Sequence, residues 1–122
     1  MNLKLMPQEI EVWYLLPALR RELAKCFIDN YNFSQKEIAG VLGITEAAVS
    51  QYLKSKRANK LQFNDKEKII IKRYADKINR DNKHSINHLF KLSQELRGTK
   101  SLCEFHHKHD PTLAHNCHIC KN

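Results

Sequence analysis

Cys103, His106, Cys117 and Cys120 are the residues of this chain best spaced for chemistry. They form Cys-x2-His and Cys-x2-Cys pairs separated by ten residues. Two residues between ligands let both side chains of a pair converge on one ion, and three thiolates with one imidazole make a closed tetrahedral set. The last 24 residues hold three of the four cysteines and five of the seven histidines. Asp110-Pro111 supplies a turn between the pairs. A catalytic metal would need an open coordination position and a nearby acid or base. The H-x-E and P-C-x-x-C signature of zinc deaminases is missing, since no Glu follows His106 or His107 at that spacing and Asn116 precedes Cys117. The site therefore reads as structural or sensory. Zinc suits the ligand set, and an iron–sulfur cluster with one His ligand is the alternative. His107, His109, His115 and His118 read as spectators. A His-rich tail with incidental cysteines is the bland alternative. Apart from Leu102, Phe105, Leu113 and Ile119 the segment 99–122 is poor in apolar residues, so its folding is expected to depend on the metal.

The elements that would carry such a tail lie upstream, and Phe33 to Arg57 is the most informative of them. Ser34 with Glu37 makes a capping box, and Ile38, Ala39 and Leu42 follow on one helical face. Gly43 stands where a helix ends with positive φ, and Ile44 is an apolar plug in the turn. Thr45 can cap a second helix from Glu46 to about Lys54, with Val49 and Tyr52 or Leu53 turned inward. Two short helices joined by a Gly-containing turn are the helix-turn-helix unit. A generic helical hairpin is the alternative.

Ser34-Gln35, Ile38-Ala39, Leu42-Gly43-Ile44, Thr45, Val49-Ser50 and Tyr52-Leu53 resemble the helix-turn-helix of phage-repressor-like (Cro/C1, XRE) transcription regulators. The resemblance covers about a fifth of the chain. It implies that Gln35 bonds a phosphate and braces the second helix, that Thr45 opens that helix, and that Glu46, Ala47 and Gln51 face bases. Glu46 would accept from a cytosine amine, Ala47 touch a thymine methyl and Gln51 pair with adenine. Ser50, Lys54 and Lys56 would hold phosphates, and Arg57 would reach backbone or base. It also implies a homodimer on half-sites one DNA turn apart. The tract QEIEVWYLLPALRRELAK looks like the opening of a group of archaeal regulators with this unit. Those regulators carry a further Cys pair in the helix before the tail. Here Phe90 and Ser93 stand at that spacing, a departure that favours zinc over a fully cysteine-ligated cluster.

Composition agrees with this direction without fixing it. The 122 residues include 42% apolar ones, enough for one folded domain with an appendage. Three Gly, three Pro and no alternating Val/Ile/Thr runs predict a mainly α chain, and the fold class expected is all-α. A net charge of +8 and a pI near 9.4 favour a polyanionic partner. No apolar run reaches the ~18 residues of a membrane span, and Glu9 and Glu11 argue against a cleavable signal. A cytoplasmic location follows, and with it thiols or metal ligands rather than disulfides.

Along the chain, residues 1–6 read as a loose arm and Pro7–Tyr31 as helical, with Pro17 at a first turn or a kink. Leu19, Leu23, Phe27 and Tyr31 make the apolar stripe, widened by Leu16, Ala24 and Ile28, with Arg20, Arg21, Glu22 and Lys25 opposite. Trp13, Tyr14 and Leu15 face the core or a second subunit. Cys26 reads as a small buried residue or, alternatively, a partner of the C-terminal cysteines. Lys54, Lys56, Arg57 and Lys60 flank the second helix and suit phosphates. Asn64 and Glu67 cap a helix whose inward residues are Ile69, Ile70, Ile71, Tyr74, Ala75 and Ile78. Asp81-Asn82-Lys83 breaks it. A helix over 85–97 turns Ile86, Leu89, Phe90, Leu92 and Leu96 inward and stops at Gly98, and His88 is an exposed polar residue on it. Three segments result: 1–62 with the DNA-binding unit at 34–57, 63–98 with C-terminal helices, and the metal-binding tail 99–122. The function expected is a sequence-specific DNA-binding transcriptional regulator, metal- or redox-responsive through its tail, and not an enzyme. The alternative is a protein-interaction module or antitoxin-like factor that keeps the two helices as scaffold. A thiol redox enzyme on Cys117-x2-Cys120 lacks the βαβ context that motif needs.

Overall fold

A computed structural model of the chain describes residues 5–54, 60–110 and 112. Among the described residues the protein is all-α, with no strand, and no helix is long and apolar enough to cross a membrane. Helix α1 (Pro7–Ile10), a π-helical turn (Glu11–Leu15) and α2 (Leu16–Tyr31) run on as one rod. Pro7 opens it at the position where a missing N–H costs nothing. The π turn coincides with Pro17. In a regular helix the Pro17 ring would clash with the Trp13 carbonyl, and one wider turn, in which Leu16 N–H donates to Glu11 O, relieves this. The rod ends at Asn32, in the left-handed region with φ 57, and Phe33 N–H donates back to Phe27 O at 3.1 Å.

Helices α3 (Gln35–Leu42) and α4 (Glu46–Leu53) follow, then α5 (Asp65–Arg80), a 3-10 turn (Asn82–His84), α6 (Ser85–Leu96) and α7 (Lys100–His109). Local rules set their limits. The Asn64–Glu67 capping box has both arms at 2.8 Å, and Gly98, at φ 77, ends the α6 segment. At the α5–α6 corner Asp81 accepts from His84 Nδ1 at 2.9 Å and from His88 Nε2 at 3.1 Å. These bonds hold the Asp81 carboxyl below its ordinary pKa.

One apolar cluster unites the helices. The rod supplies Ile10, Leu15, Leu19, Leu23 and Phe27, and residues from α3 to α7 close around them as far as Leu102 and Phe105. Each fully buried Leu, Ile or Phe contributes about 1.5–3 kcal/mol. The three sequence segments share this core.

Several residues stand elsewhere than their sequence pattern predicted. Arg21, assigned to the outer face, is only 2% exposed, and its guanidinium donates to the Leu61 carbonyl at 3.2 Å. Ile69, Ile86 and Phe90, assigned inward, are exposed, and Ile70 is half-buried. Of Trp13, Tyr14 and Leu15, only Leu15 is fully buried, and Trp13 faces solvent. Cys26 is half-buried and accepts from Asn30 Nδ2 at 3.4 Å. His88 is likewise half-buried rather than exposed.

The start of the tail is also different. Residues 100–109 are a helix on the main core, with Leu102 and Phe105 buried and the Phe105 ring 4.6 Å from that of Tyr14. A segment poor in apolar residues of its own packs here against the rod, which supplies the other half of its core. A polar tie adds to this. Glu67 is 3% exposed, and it accepts the Asn64 N–H through Oε1 and the Ser101 N–H, at 3.2 Å, through Oε2. Burial alone would raise its pKa. Hydrogen bonds from the Ser101 hydroxyl, the Asn64 N–H, the Thr99 hydroxyl and the Ser101 N–H outweigh burial and hold the carboxyl below its ordinary value. Leu5, just before α1, is held as well. Leu5 N–H donates to Asp110 Oδ2 at 3.0 Å, and Leu5 O accepts from His106 Nε2 at 2.8 Å.

Candidate nucleic-acid interface

The candidate surface is built by α3, α4 and the turn between them. Ser34 caps α3 through Oγ, accepting from Glu37 N–H at 3.1 Å, while Glu37 returns to Ser34 N–H at 3.2 Å. Gly43 takes φ 68, and Ile44 N–H closes the turn on Ala39 O at 3.1 Å. A residue with a Cβ pays a conformational penalty in that region, and Gly does not. Thr45 then caps α4, its Oγ1 accepting from Ala48 N–H at 3.1 Å. Two orphan helix starts are thus satisfied by side chains that lie next to each helix in sequence.

Burial divides α4 cleanly. Ala48, Val49 and Tyr52 are buried and Leu53 is half-buried against the core. Glu46, Ala47, Gln51 and Lys54 are exposed and Ser50 is half-exposed. At 3.6 residues per turn, positions 46, 47, 50, 51 and 54 make one stripe along the outer side of the helix. Thr45 stands exposed at its start. Gln35, the first residue of α3, is exposed too, beside Lys36. Every described residue assigned from sequence to DNA contact is therefore at the surface. Lys56 and Arg57 lie outside the described residues.

Charge is arranged along the same stripe. Glu46 sits in the first turn of α4, where the helix dipole favours an acid, and Lys54 sits at the C-terminal end, where it favours a cation. Lys36 and Lys60 add exposed positive charge nearby in sequence.

The Cys/His set is seen in half. Cys103 and His106 stand one turn apart on α7 and line one small pocket with Pro7, Ile10 and Leu102. A carbonyl accepts only, so the bond to Leu5 O places the His106 proton on Nε2 and leaves the lone pair on Nδ1. Fixing one ring nitrogen on a carbonyl is how proteins present the other to a metal. The two described donors fit a Cys/His ligand set in this respect. Among the described residues no three His, Cys, Asp or Glu side chains group as a metal site, and Cys117 and Cys120 lie outside the described residues.

Two features lay beyond what local sequence pattern could place. The clamp of His106 and Asp110 on Leu5 joins residues about a hundred positions apart, and no local pattern signals it. The exposure of Ile86 and Phe90, four apart on α6, leaves an apolar strip that a sequence stripe assigns to the core. No known protein family, characterised protein or solved structure matches the chain.

Proposed function

We propose that α3 and α4 form a DNA-binding helix-turn-helix and that the protein is a sequence-specific transcriptional regulator of the phage-repressor-like kind. The observation that carries this reading is the outer stripe of α4. Glu46, Ala47, Ser50, Gln51 and Lys54 face solvent together while the intervening residues hold the helix to the core. A helix with side chains is ~10–12 Å across and the major groove is ~12 Å wide. In that groove Gln51 offers a bidentate amide to adenine, Glu46 an acceptor to a cytosine amine, and Ala47 a methyl to thymine. Gln35, Ser50 and Lys54 hold the flanking phosphates, with Thr45 opening the helix and Lys56 and Arg57 following it. The net charge of +8 supplies the sequence-independent part of the affinity.

The tail is proposed to hold zinc through Cys103, His106, Cys117 and Cys120. When bound, the ion cross-links the last residues to α7. Cys103 presents its thiol and His106 its Nδ1 from a helix already fixed by the core. An iron–sulfur cluster is distinguished from zinc by its visible absorption and iron content.

The test is selection from a random duplex library, with recovered sites titrated across salt. A recovered consensus and binding that weakens steeply with salt are expected. Recovery of no consensus, with only weak uniform binding, would return α3 and α4 to a scaffold role.

A further inference from the structure

Leu5 lies just before the first helix, outside any regular hydrogen-bonding pattern, yet both of its main-chain groups are taken. Asp110 Oδ2 accepts its N–H at 3.0 Å, and its carbonyl accepts from His106 Nε2 at 2.8 Å. The two gripping side chains are almost closed to water, His106 at 5% exposure and Asp110 at 3%. A buried polar pair of this kind is costly unless its partners are fixed in place. Cys103 and His106 also border a small space with Pro7 and Ile10, so the two donors of α7 lie against the start of the rod, two residues on from Leu5. The space is about 10 Å³, room for a single ion or water.

We infer that Leu5 and Asp110 form the outer shell of the tail's metal site, and that metal occupancy and the clamp on Leu5 are one coupled equilibrium. The inference rests on the reading of Cys103, His106, Cys117 and Cys120 as zinc ligands. A neutral imidazole carries one proton, and only its bare nitrogen can ligate. Without Leu5 O the His106 ring would share that proton between its two nitrogens, and the tautomer with Nδ1–H cannot hold a metal. The carbonyl removes that tautomer, and its pull on Nε2–H makes Nδ1 the more basic. Asp110 acts one step further out. By holding Leu5 N–H it fixes the carbonyl that orients the ring, so it is a positioning residue and not a ligand. The effect runs both ways. A cation on Nδ1 withdraws electrons from the ring and makes Nε2–H the stronger donor to Leu5 O. By linkage, the factor by which the clamp raises zinc affinity is the factor by which zinc tightens the clamp. Loss of the metal then loosens a residue 101 positions away, while α7 stays on the core through Leu102 and Phe105.

Hydrogen exchange at the Leu5 amide, read by NMR on the full chain with zinc and after stripping by excess chelator, tests the coupling without any variant. Leu5 should exchange about 10–100-fold faster once zinc is removed, the range over which outer-shell partners act on metal affinity. The amides of Val49 and Lys68, bonded within α4 and α5, should not change. Zinc affinity, measured by competition with a chromophoric chelator, gives the reciprocal arm. Asp110→Ala should bind zinc about 10–100-fold more weakly with unchanged helical circular dichroism. Asp110→Asn keeps a carbonyl to accept Leu5 N–H and should recover most of that loss. Leu5 exchange that ignores zinc, or Asp110→Ala binding zinc as the wild type does, would overturn the inference. A wild type that binds no zinc would overturn the metal reading and the inference together. Zinc held by the wild type and lost in Cys117→Ser, with Leu5 exchange the same in both, would overturn the coupling alone.

Discussion

Truncating Glu67 to Ala should loosen two helices at once. Its carboxylate caps α5 through Asn64 N–H at 2.8 Å and holds the start of α7 through Ser101 N–H at 3.2 Å. Loss of a helix cap costs about 0.5–2 kcal/mol. Loss of a hydrogen bond to a charged acceptor costs about 1.5–3 kcal/mol. Water reaches part of the vacated space, so the combined cost is about 2–4 kcal/mol. That is a large part of the ~5–15 kcal/mol that holds a domain together. Urea unfolding at neutral pH, followed by far-UV circular dichroism, reads this directly. The pH dependence adds a sign. The folded pKa of Glu67 lies below its ordinary value of 4.5, so the unfolded chain binds the proton more readily. Its contribution is therefore fully present above pH 4.5 and is lost as pH falls through the folded pKa. Across that window the wild type should lose stability more steeply than Glu67→Gln, which has no proton to take up. Asp81, Asp110 and Glu95, whose pKa values are also lowered, remain in both proteins and cancel in the comparison. A cost below about 0.5 kcal/mol, or parallel pH profiles, would refute the view that Glu67 ties α7 to the body.

Other outcomes follow from single contacts. Gly43→Ala finds room for its Cβ but keeps φ 68, so it should cost about 1–2 kcal/mol in thermal or urea unfolding. Thr45→Ala removes the bond to Ala48 N–H and should cost about 1 kcal/mol, with a matching loss of DNA affinity if α4 frays. Cys117→Ser should release the bound zinc, measured by elemental analysis. Amides of 100–109 should stay protected from exchange, because Leu102 and Phe105 sit in the main core. Loss of that protection with the metal would show α7 to be metal-dependent. If the metal acts as a sensor, the same variant should also change operator affinity at matched dimer concentration, and equal affinities would leave a staple.

What the sequence made legible was local. Ser34, Gly43, Thr45, Asn64 with Glu67, and Gly98 mark helix ends through contacts to residues within five positions, so their spacing alone suffices. Leu19, Leu23, Phe27, Ile38, Ala39, Leu42 and Val49, buried in α2, α3 and α4, followed from the 3.6-residue period for the same reason. What stayed hidden depended on partners distant in sequence. Arg21 is buried with its guanidinium donating to a carbonyl forty residues on and to the neighbouring Glu22 carboxylate. Ile69, Ile86 and Phe90 belong to stripes wider than the surface that covers them, and no pattern within one helix says where its cover ends. In α7 the metal-ligand spacing coincides with an ordinary amphipathic helix, with Leu102, Phe105 and His106 on its inner side. The two donors of that helix and the stripe on α4 were legible as residue types, while His106's tautomer needed Leu5.

Affinity measured on two kinds of DNA tests the proposed role of the α4 stripe most directly. Fluorescence anisotropy of the wild type, Gln51→Ala and Lys54→Ala would be recorded on the selected site and on random duplex across salt. Gln51→Ala should lose about 1–3 kcal/mol on the selected site and almost nothing on random DNA, because its amide reads a base. Lys54→Ala should weaken both duplexes alike and flatten the salt slope by about one. If Gln51→Ala bound both duplexes as the wild type does, or lost affinity equally on both, α4 would not be reading sequence and the central claim would fail.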